Sequence, residues 1–586
     1  MKLVYKIADN ITSPLGDTTE ANYQAVVAGK SAIRTYSGYS NLPFSFAASL
    51  FTDEQEKTMA VEGLTRFESM ALASVMKAVR ETDFDLSAPN VVFILSTTKA
   101  NTAPGCPLPG ESARRIARRA GIQTEPVVVC NACISGLSAI ILAKRLLEMG
   151  CYDYAVVCGA DSQSPFIVSG FQSLKALSDQ PCRPFDMERL GLNLGEAAAT
   201  IVLSTRPTHE SHWAIVSGAV RNDACHISAP SRSGDGCYRA LQAVLGNDDR
   251  QQIAFVNAHG TGTMFNDQME SVALERACLT DVPVNALKGY YGHTMGAAGV
   301  LETVLSMYAL DNNMLIGTRG FSELGVSGHI RVAAENQPLG GKQQFVKILS
   351  GFGGCNAALR VERVRSLELG VRSCEYLASP ETPKLPTPNS QLLTPNSHRV
   401  TITPRSVTVD GKPLYAEGEG KELLTDVYKR YIGNYPKFYK MDMLARLGFI
   451  GSELLLQAES TLNPSTPLQL SPRGGVAVIL FNRTSSLNAD RHFEASIQDA
   501  DNFFPSPSVF VYTLPNIVTG EIAIRNNYVG ETSFYVLAQR DDNLMEKIFK
   551  ASMLDSATQS ILGGWTDCEN EEIFEADMYL IENIEK

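Results

Sequence analysis

Short runs of apolar, largely β-branched residues recur through the first part of this chain, each joined to a segment with helical spacing. Val91-Val92-Phe93-Ile94-Leu95, Val127-Val128-Val129 and Tyr154-Ala155-Val156-Val157 are such runs, and Arg66 to Val79 and Ser135 to Met149 carry the 3.6-residue period. A strand that is apolar on both faces must be covered on both faces, so the pattern predicts α/β layering with buried strands. The 586 residues exceed what one hydrophobic core serves, so more than one domain is expected. An apolar fraction of 44% against 19% charged residues is that of a globular chain rather than a disordered one.

The alternation stops near residue 363. Between Ser379 and Asn396 stand Pro380, Pro383, Pro386, Pro388 and Pro395, and the letters TPNS occur at Thr387 and again at Thr394. Proline at this density opposes regular pairing and favours an extended linker, assigned to residues 364–399. Residues 400–586 look globular again, with a strand expected at Val476 to Phe481 and a helix around Met441 to Gln457. This second domain echoes the first: Glu521 to Arg525 followed by Phe534-Tyr535-Val536 parallels Arg115 to Arg119 followed by Val127-Val128-Val129. On pattern alone, an internal repeat and a chance match stay open.

A net charge of −12 disfavours a nucleic-acid binder, because phosphate neutralisation needs a basic surface. The start, MKLVYKIADNITSPLG, has no apolar core long enough for a signal peptide, and no later stretch reaches the length of a membrane span; a cytoplasmic location is the expectation. Twelve cysteines, eleven of them before residue 375, are too dispersed for a secreted disulfide scaffold and read as free thiols. Cys130 and Cys133 form a lone CxxC, which no second CxxC or histidine cluster completes into a zinc site, so no metal is expected.

Three segments carry chemistry. Val127 to Gly136 runs from a strand through small residues into a helix, placing Cys133 at a strand-to-helix turn. There the positive end of the helix dipole favours thiolate, and a thiol pKa lowered by about a unit from about 8.5 is expected; a buried structural cysteine is the other reading. Asn257-Ala258-His259-Gly260-Thr261-Gly262-Thr263, followed by Asp267 and Glu270, places a histidine in a glycine-rich loop after a strand at Ile253 to Val256. Lys288 to Gly299 holds His293 beside glycines at the start of an apolar helix. One histidine alone reads as structural; two in such loops with a poised cysteine form a nucleophile-and-donor set.

The motifs ACxSG around Cys133, HGTGT at His259, Lys288 followed by GHTMGAAG, and GFGG at Gly351 to Gly354 resemble the β-ketoacyl synthases of the thiolase superfamily. Ser13-Pro14-Leu15-Gly16, Cys182-Arg183-Pro184-Phe185-Asp186 and Gly195-Glu196 fit the same pattern, in order, across residues 1–363. The resemblance implies a thiolase-like fold of αβαβα layers there, and a decarboxylative Claisen condensation in fatty-acid, polyketide or aryl-polyene-type synthesis. Cys133 would hold the acyl group, and His259 and His293 would bind the malonyl thioester carbonyl as carbon dioxide leaves. The amides of Cys133 and Phe352 would form an oxyanion hole, with Phe352 a gate; Thr261 and Thr263 would contact phosphopantetheine; Lys288 and Glu270 would support the site, or lie on a solvated face. Asn131, Ile134, Cys355 and the residues before Gly351 depart from the family pattern, which leaves acyl preference and chain length open.

The implied partners are an acyl carrier protein with malonyl and acyl thioesters, in a homodimer or a ketosynthase–partner heterodimer, with no cofactor beyond the carrier's own phosphopantetheine. Arg114, Arg115 and Arg118 lie on one helix and offer a docking patch for an acidic carrier, or simply a solvated face. Residues 474–570 resemble, more weakly, the N-terminal half of a ketosynthase, so that residues 400–586 are expected as a smaller α/β half-domain without catalytic residues. Leu537-Ala538-Gln539-Arg540 stand where the nucleophile would fall, and Gln539 resembles the glutamine of chain-length factors. A chain-length-factor-like role and a mere cover for apolar surface both stay open for this part. For the whole chain, a non-catalytic partner subunit and a malonyl decarboxylase or thiolase are the alternatives.

Overall fold

The computed structural model describes residues 2–207, 213–246, 250–364, 398–462, 475–498 and 503–582; the proline-rich segment 365–397 lies outside them. The first half of the ketosynthase-like region comprises β1 (Val4–Thr12), α1 (Arg66–Val79), β2 (Val91–Ser96), α2 (Pro109–Ala120), β3 (Val127–Val129), α3 (Ser135–Glu148), β4 (Tyr154–Asp161), α4 (Pro165–Ser173) and β5 (Ala197–Ser204). Its sheet runs β3-β2-β4-β5-β1, the first three strands parallel and the last two antiparallel to their neighbours.

The second half comprises β6 (Trp213–Asn222), β7 (Ile253–Asn257), α5 (Met264–Arg276), β8 (Pro283–Asn285), α6 (Ala298–Asp311), β9 (Gln344–Gly351) and β10 (Cys355–Arg363). Its sheet, β8-β7-β9-β10-β6, repeats the same order and directions. Residues 398–582 form a third copy: β11 (Arg399–Thr403), α7 (Met443–Leu462), β12 (Val476–Asn482), α8 (Leu487–Ala495), α9 (Pro507–Tyr512), α10 (Ile517–Asn526), β13 (Thr532–Val536), α11 (Asp542–Met553), β14 (Ser560–Cys568) and β15 (Phe574–Glu582). Its sheet is β13-β12-β14-β15-β11, with the same pattern again.

Strand alternation explains why the sequence runs are apolar throughout. Val91, Phe93 and Leu95 of β2 face a core shared with α1 and α2, whereas Val92 and Ile94 face the core that holds α3 and α6. Helices α3 and α6 thus form the middle of five αβαβα layers, and α5 packs on the outer face of the second sheet. The two central helices cross where each has a glycine: a Cβ on Gly136 would stand 2.8 Å from Gly299 Cα, so no larger residue permits this approach.

The third unit continues the first sheet. β3 and β13 pair antiparallel, Val129 with Tyr535 and Val128 with Val536, which joins the sheets of the first and third units into one. Asn131 Oδ1 accepts the amide of Phe534 at 2.7 Å, and Asn222 Nδ2 donates to Thr532 Oγ1 at 3.0 Å. Beside them Arg145, on α3, pairs with Glu531 at 2.7 Å and Asp555 at 3.4 Å, and Arg221 pairs with Asp555 at 2.6 Å; Arg145, Arg221 and Glu531 are buried and Asp555 is half-buried. Burial alone would raise the Asp555 carboxyl, but Arg221 and Arg145 hold it below its ordinary value. No helix among the described residues is long and apolar enough to cross a membrane.

Substituting Arg145→Met leaves Glu531 buried without its cation and should cost about 3 kcal/mol. Urea unfolding monitored by fluorescence should show the lowered midpoint; an unchanged midpoint would mean that these pairs do not hold the third unit.

Candidate active site

Cys133 and His259 each follow the end of a strand, and His293 follows a short helix, Lys288–Tyr291. After β3 the chain turns at Ala132, whose φ is 47°, and Cys133 falls in the short 3-10 turn, Ala132–Ile134, that opens α3. The second half repeats this geometry at Met295, φ 47°, in the turn just after His293 that opens α6. His259 follows β7 on a loop stapled by two carboxylates of α5. Glu270 accepts the amides of His259 and Gly260, both at 2.7 Å, and Asp267 accepts those of Thr261 at 3.0 Å and Gly262 at 3.1 Å. The Thr261 and Thr263 hydroxyls lie 2.8 Å apart on the same loop.

The crossing of α3 and α6 brings these segments together. Cys133 Sγ and nitrogens of His259 and His293 all lie within 4.8 Å of one another, and the two imidazoles meet edge to face with centroids 4.9 Å apart. All three residues are buried. His293 Nδ1 accepts the Met295 amide at 3.3 Å, which places the proton of the neutral ring on Nε2. That Nε2, and Nδ1 of His259, have no hydrogen-bond partner among the described residues, so the site presents unsatisfied polar atoms to a ligand. A cysteine with two histidines is also a soft-metal donor set. A ring held as an Nε2–H donor cannot ligate through that atom, which argues for hydrogen bonding instead.

Burial pushes the Cys133 thiol up to about 12, outweighing Lys288 and the backbone amides of Cys133 and Phe352, which favour the thiolate. The expectation of a lowered pKa is therefore corrected: a helix terminus on a desolvated sulfur does not overcome the loss of water. The same burial, followed by Lys288 and Lys347, lowers both histidines well below their ordinary value, keeping them neutral.

Lys288 is buried, not on a solvated face; its ammonium pairs with Glu302 at 2.9 Å. Lys347 shares that carboxylate at 2.5 Å and donates to the Ala258 carbonyl at 3.1 Å, directly before His259. Sequence reading missed Lys347, Glu302 and Asp161; the last accepts Thr97 Oγ1 at 2.6 Å and the Gly296 amide at 2.7 Å and so ties β4 to the His293 loop. The unusual residues before Gly351 were the available signal for Lys347.

The third unit reaches the site. A small cavity at Cys133 is lined by Thr98, Lys99, Ile167 and Phe171 from the first unit, and by Phe510 and Leu514 from the third. Asn516, before α10, donates to the Phe352 carbonyl at 2.8 Å, so the third unit also holds the proposed gate. By strand register Val127 corresponds to Phe534 and Val129 to Val536, and α3 at Ser135 to α11 at Asp542. Arg540, not Gln539, therefore occupies the nucleophile position of the third unit, and it is held there by Asp577 and Asp542, each at 2.7 Å. The arginine patch is largely spent internally: Arg114 pairs with Glu125 at 2.6 Å and Arg115 with Glu68 at 3.4 Å, leaving Arg118 as the exposed member of the three.

Comparison with known proteins agrees with this geometry. The family pattern "Beta-ketoacyl synthase, N-terminal domain" matches residues 48–209, and "Beta-ketoacyl synthase, C-terminal domain" matches residues 213–322. The tetracenomycin polyketide synthase ketoacyl synthase alpha subunit of Streptomyces glaucescens is 28% identical over 414 residues, 60% of this chain and 95% of that protein. A 3-oxoacyl-[acyl-carrier-protein] synthase 2 of Vibrio cholerae is 27% identical over 414 residues, 60% of this chain and 97% of its own. Among solved structures, a ketosynthase in complex with its chain length factor from Xenorhabdus doucetiae is 26% identical, covers 62% of this chain and 98% of its own, and has a TM-score of 0.53. The PfaC ketosynthase–chain length factor, at 13% identity, shares the fold over 99% of this chain and 78% of its own, with a TM-score of 0.71. Residues 48–322 carry the N- and C-terminal domains of a β-ketoacyl synthase. The chain is a carbon–carbon-bond-forming acyltransferase of fatty-acid or polyketide synthesis.

Two measurements probe the electrostatics. Alkylation of Cys133 by iodoacetamide should accelerate roughly tenfold per pH unit from pH 7 to 10, because the thiolate fraction rises toward a pKa of about 12; a plateau below pH 8 would contradict the burial argument. Lys347→Met removes a cation that disfavours imidazolium, so the acidic limb of the malonyl-decarboxylation pH profile should move to higher pH. A profile that falls in amplitude without moving would leave Lys347 a purely structural role.

Proposed function

We propose that this chain condenses a Cys133-bound acyl group with a malonyl thioester borne on an acyl carrier protein, using the carrier's phosphopantetheine and no cofactor of its own. In the first step the Cys133 thiol displaces the carrier thiol from the incoming thioester. The amides of Cys133 and Phe352, which already face the sulfur, stabilise the tetrahedral oxyanion, and the departing carrier thiolate takes up the proton. In the second, His293 Nε2–H and His259 bind the malonyl thioester carbonyl. Loss of carbon dioxide leaves the electron pair on carbon as an enolate, so no base is needed to make the nucleophile. The enolate attacks the acyl-cysteine carbonyl, and Cys133 leaves and regains a proton from solvent. A fixed donor aimed at such an oxyanion supplies roughly 3 kcal/mol.

The observation that carries this reading is the convergence of one thiol and two neutral imidazoles, with buried, unsatisfied nitrogens, within 4.8 Å. Thr261 and Thr263, on the His259 loop, would contact the pantetheine arm. The third unit stands in for a partner subunit: it covers the β3 edge and contributes Phe510 and Leu514 to the acyl pocket. Exposed Arg118 is what remains of the carrier-docking patch on α2.

Intact-mass analysis after incubation with acetyl- and malonyl-loaded carrier proteins should show an acyl adduct on the wild type and none on Cys133→Ala. A carrier-bound product two carbons longer should accompany the adduct. Folded wild-type protein that forms no adduct with any acyl carrier would sink the proposal.

A further inference from the structure

The cavity at Cys133 is tight, about 10 Å³, and almost wholly apolar at its surface, with a single lysine at one end. Lys99, 5% exposed, lines it. The Lys99 ammonium lies 5.5 Å from the Phe166 ring centroid, donates to Ser486 Oγ at 2.8 Å and pairs with Asp490. Ser486 and Asp490 belong to the third unit, so this pair closes the pocket from across the boundary between the two parts. Lys99 also lines a second cavity of about 420 Å³, whose walls carry Asn101, Thr484, Asp490, Glu494 and Gln498. Among the cavities described, these two share Lys99 alone.

That placement decides what can lie against the end of the pocket. Ser486 and Asp490 account for two of the three ammonium protons, which leaves one donor for a further acceptor. A methylene chain pressed against a buried ammonium and carboxylate displaces water and returns no hydrogen bond. A ketone or hydroxyl at the same depth accepts the remaining N–H in a charge-assisted bond. Burial pulls Lys99 below its ordinary value and pushes Asp490 above its own, so each depends on polar neighbours to remain charged. Beyond Lys99 lies the larger cavity, whose walls mix amide, hydroxyl and carboxylate groups with Leu108, Phe166 and Leu487.

We propose that Lys99, held by Asp490, forms the distal acyl subsite and selects chains that carry an oxygen near their far end over alkyl chains of equal length. The inference rests on the condensing-enzyme reading and narrows its substrate class to oxygenated, polyketide-like acyl chains.

The test uses the full-length protein and carrier-bound acyl groups of four, six and eight carbons, offered as competing pairs with and without a ketone on the penultimate carbon. The ratio of the two Cys133 adducts is read by intact mass. At one length or more the oxo-acyl adduct should exceed its alkyl counterpart about tenfold, as one charge-assisted hydrogen bond provides. Lys99→Met should bring that ratio to one or reverse it, and Asp490→Asn, which keeps the ammonium but removes its anchor, should lower it at least threefold. Ratios within twofold of one at all three lengths in the wild type would overturn the proposal, as would a preference that survives both substitutions. Absence of every adduct, acetyl included, would instead remove the condensing reading beneath it.

Discussion

The edge of β3 is the constraint on which the rest depends. A terminal strand with free N–H and C=O groups invites pairing, and β3 is also the strand that delivers Cys133 to its helix. Whatever covers that edge necessarily becomes a wall of the acyl pocket. This chain supplies the cover from its own C-terminal part: β13 satisfies the edge, and the helices preceding it carry Phe510, Leu514 and Asn516 to the pocket and to the Phe352 loop. Assembly and site formation are therefore one event. An intramolecular partner is present at fixed stoichiometry and high effective concentration, which a separate subunit has to reach by binding.

Two of the departures from the family pattern follow from that arrangement. Asn131 accepts the Phe534 amide and so pins β13 in register beside β3. Cys355 Sγ lies 3.7 Å from Asn516 Nδ2, at the point where the third unit holds the Phe352 carbonyl. Lys347 has another cause: it shares Glu302 with Lys288, so two cations and one anion lie beneath the histidines. The surplus positive charge disfavours imidazolium and leaves the rings as neutral donors, a state suited to an enolate.

Much of the fold was legible because it is written locally. Alternating apolar runs marked β2, β3 and β4, and the echo between Phe534-Tyr535-Val536 and Val127-Val128-Val129 falls in the register that the sheets adopt. Cys133 was visible at a strand-to-helix turn, and His259 and His293 because glycines flank them. Asp161 and Lys99 gave no comparable signal, and Lys347 only that of the unusual residues before Gly351. Each acts through a partner distant in sequence, and an isolated lysine or aspartate in a strand-end segment reads as surface charge until the opposing carboxylate or amide is known. Burial misled in the other direction: the helix terminus at Cys133 was readable, but the desolvation that outweighs it is a property of the closed fold.

The three units share strand order and directions, yet the third has no thiol at the position equivalent to Cys133. In the third unit Arg540 stands at the head of α11 and is neutralised by Asp542 and Asp577, while Arg399 adds a second cation on Asp577 at 2.7 Å. An ion-pair cluster fills space that a pocket would leave empty, and a guanidinium there cannot take an acyl group. The consequence is an asymmetric molecule: one side of the β3–β13 junction holds a tight, mostly apolar cavity at Cys133, and the other carries a cluster of ion pairs. A lone strand edge could have been covered by any strand. That the cover keeps the whole five-stranded unit, with its helices α10 and α11 on either side of β13, reflects the need to bury both faces of the extended sheet while placing side chains in the pocket of its neighbour.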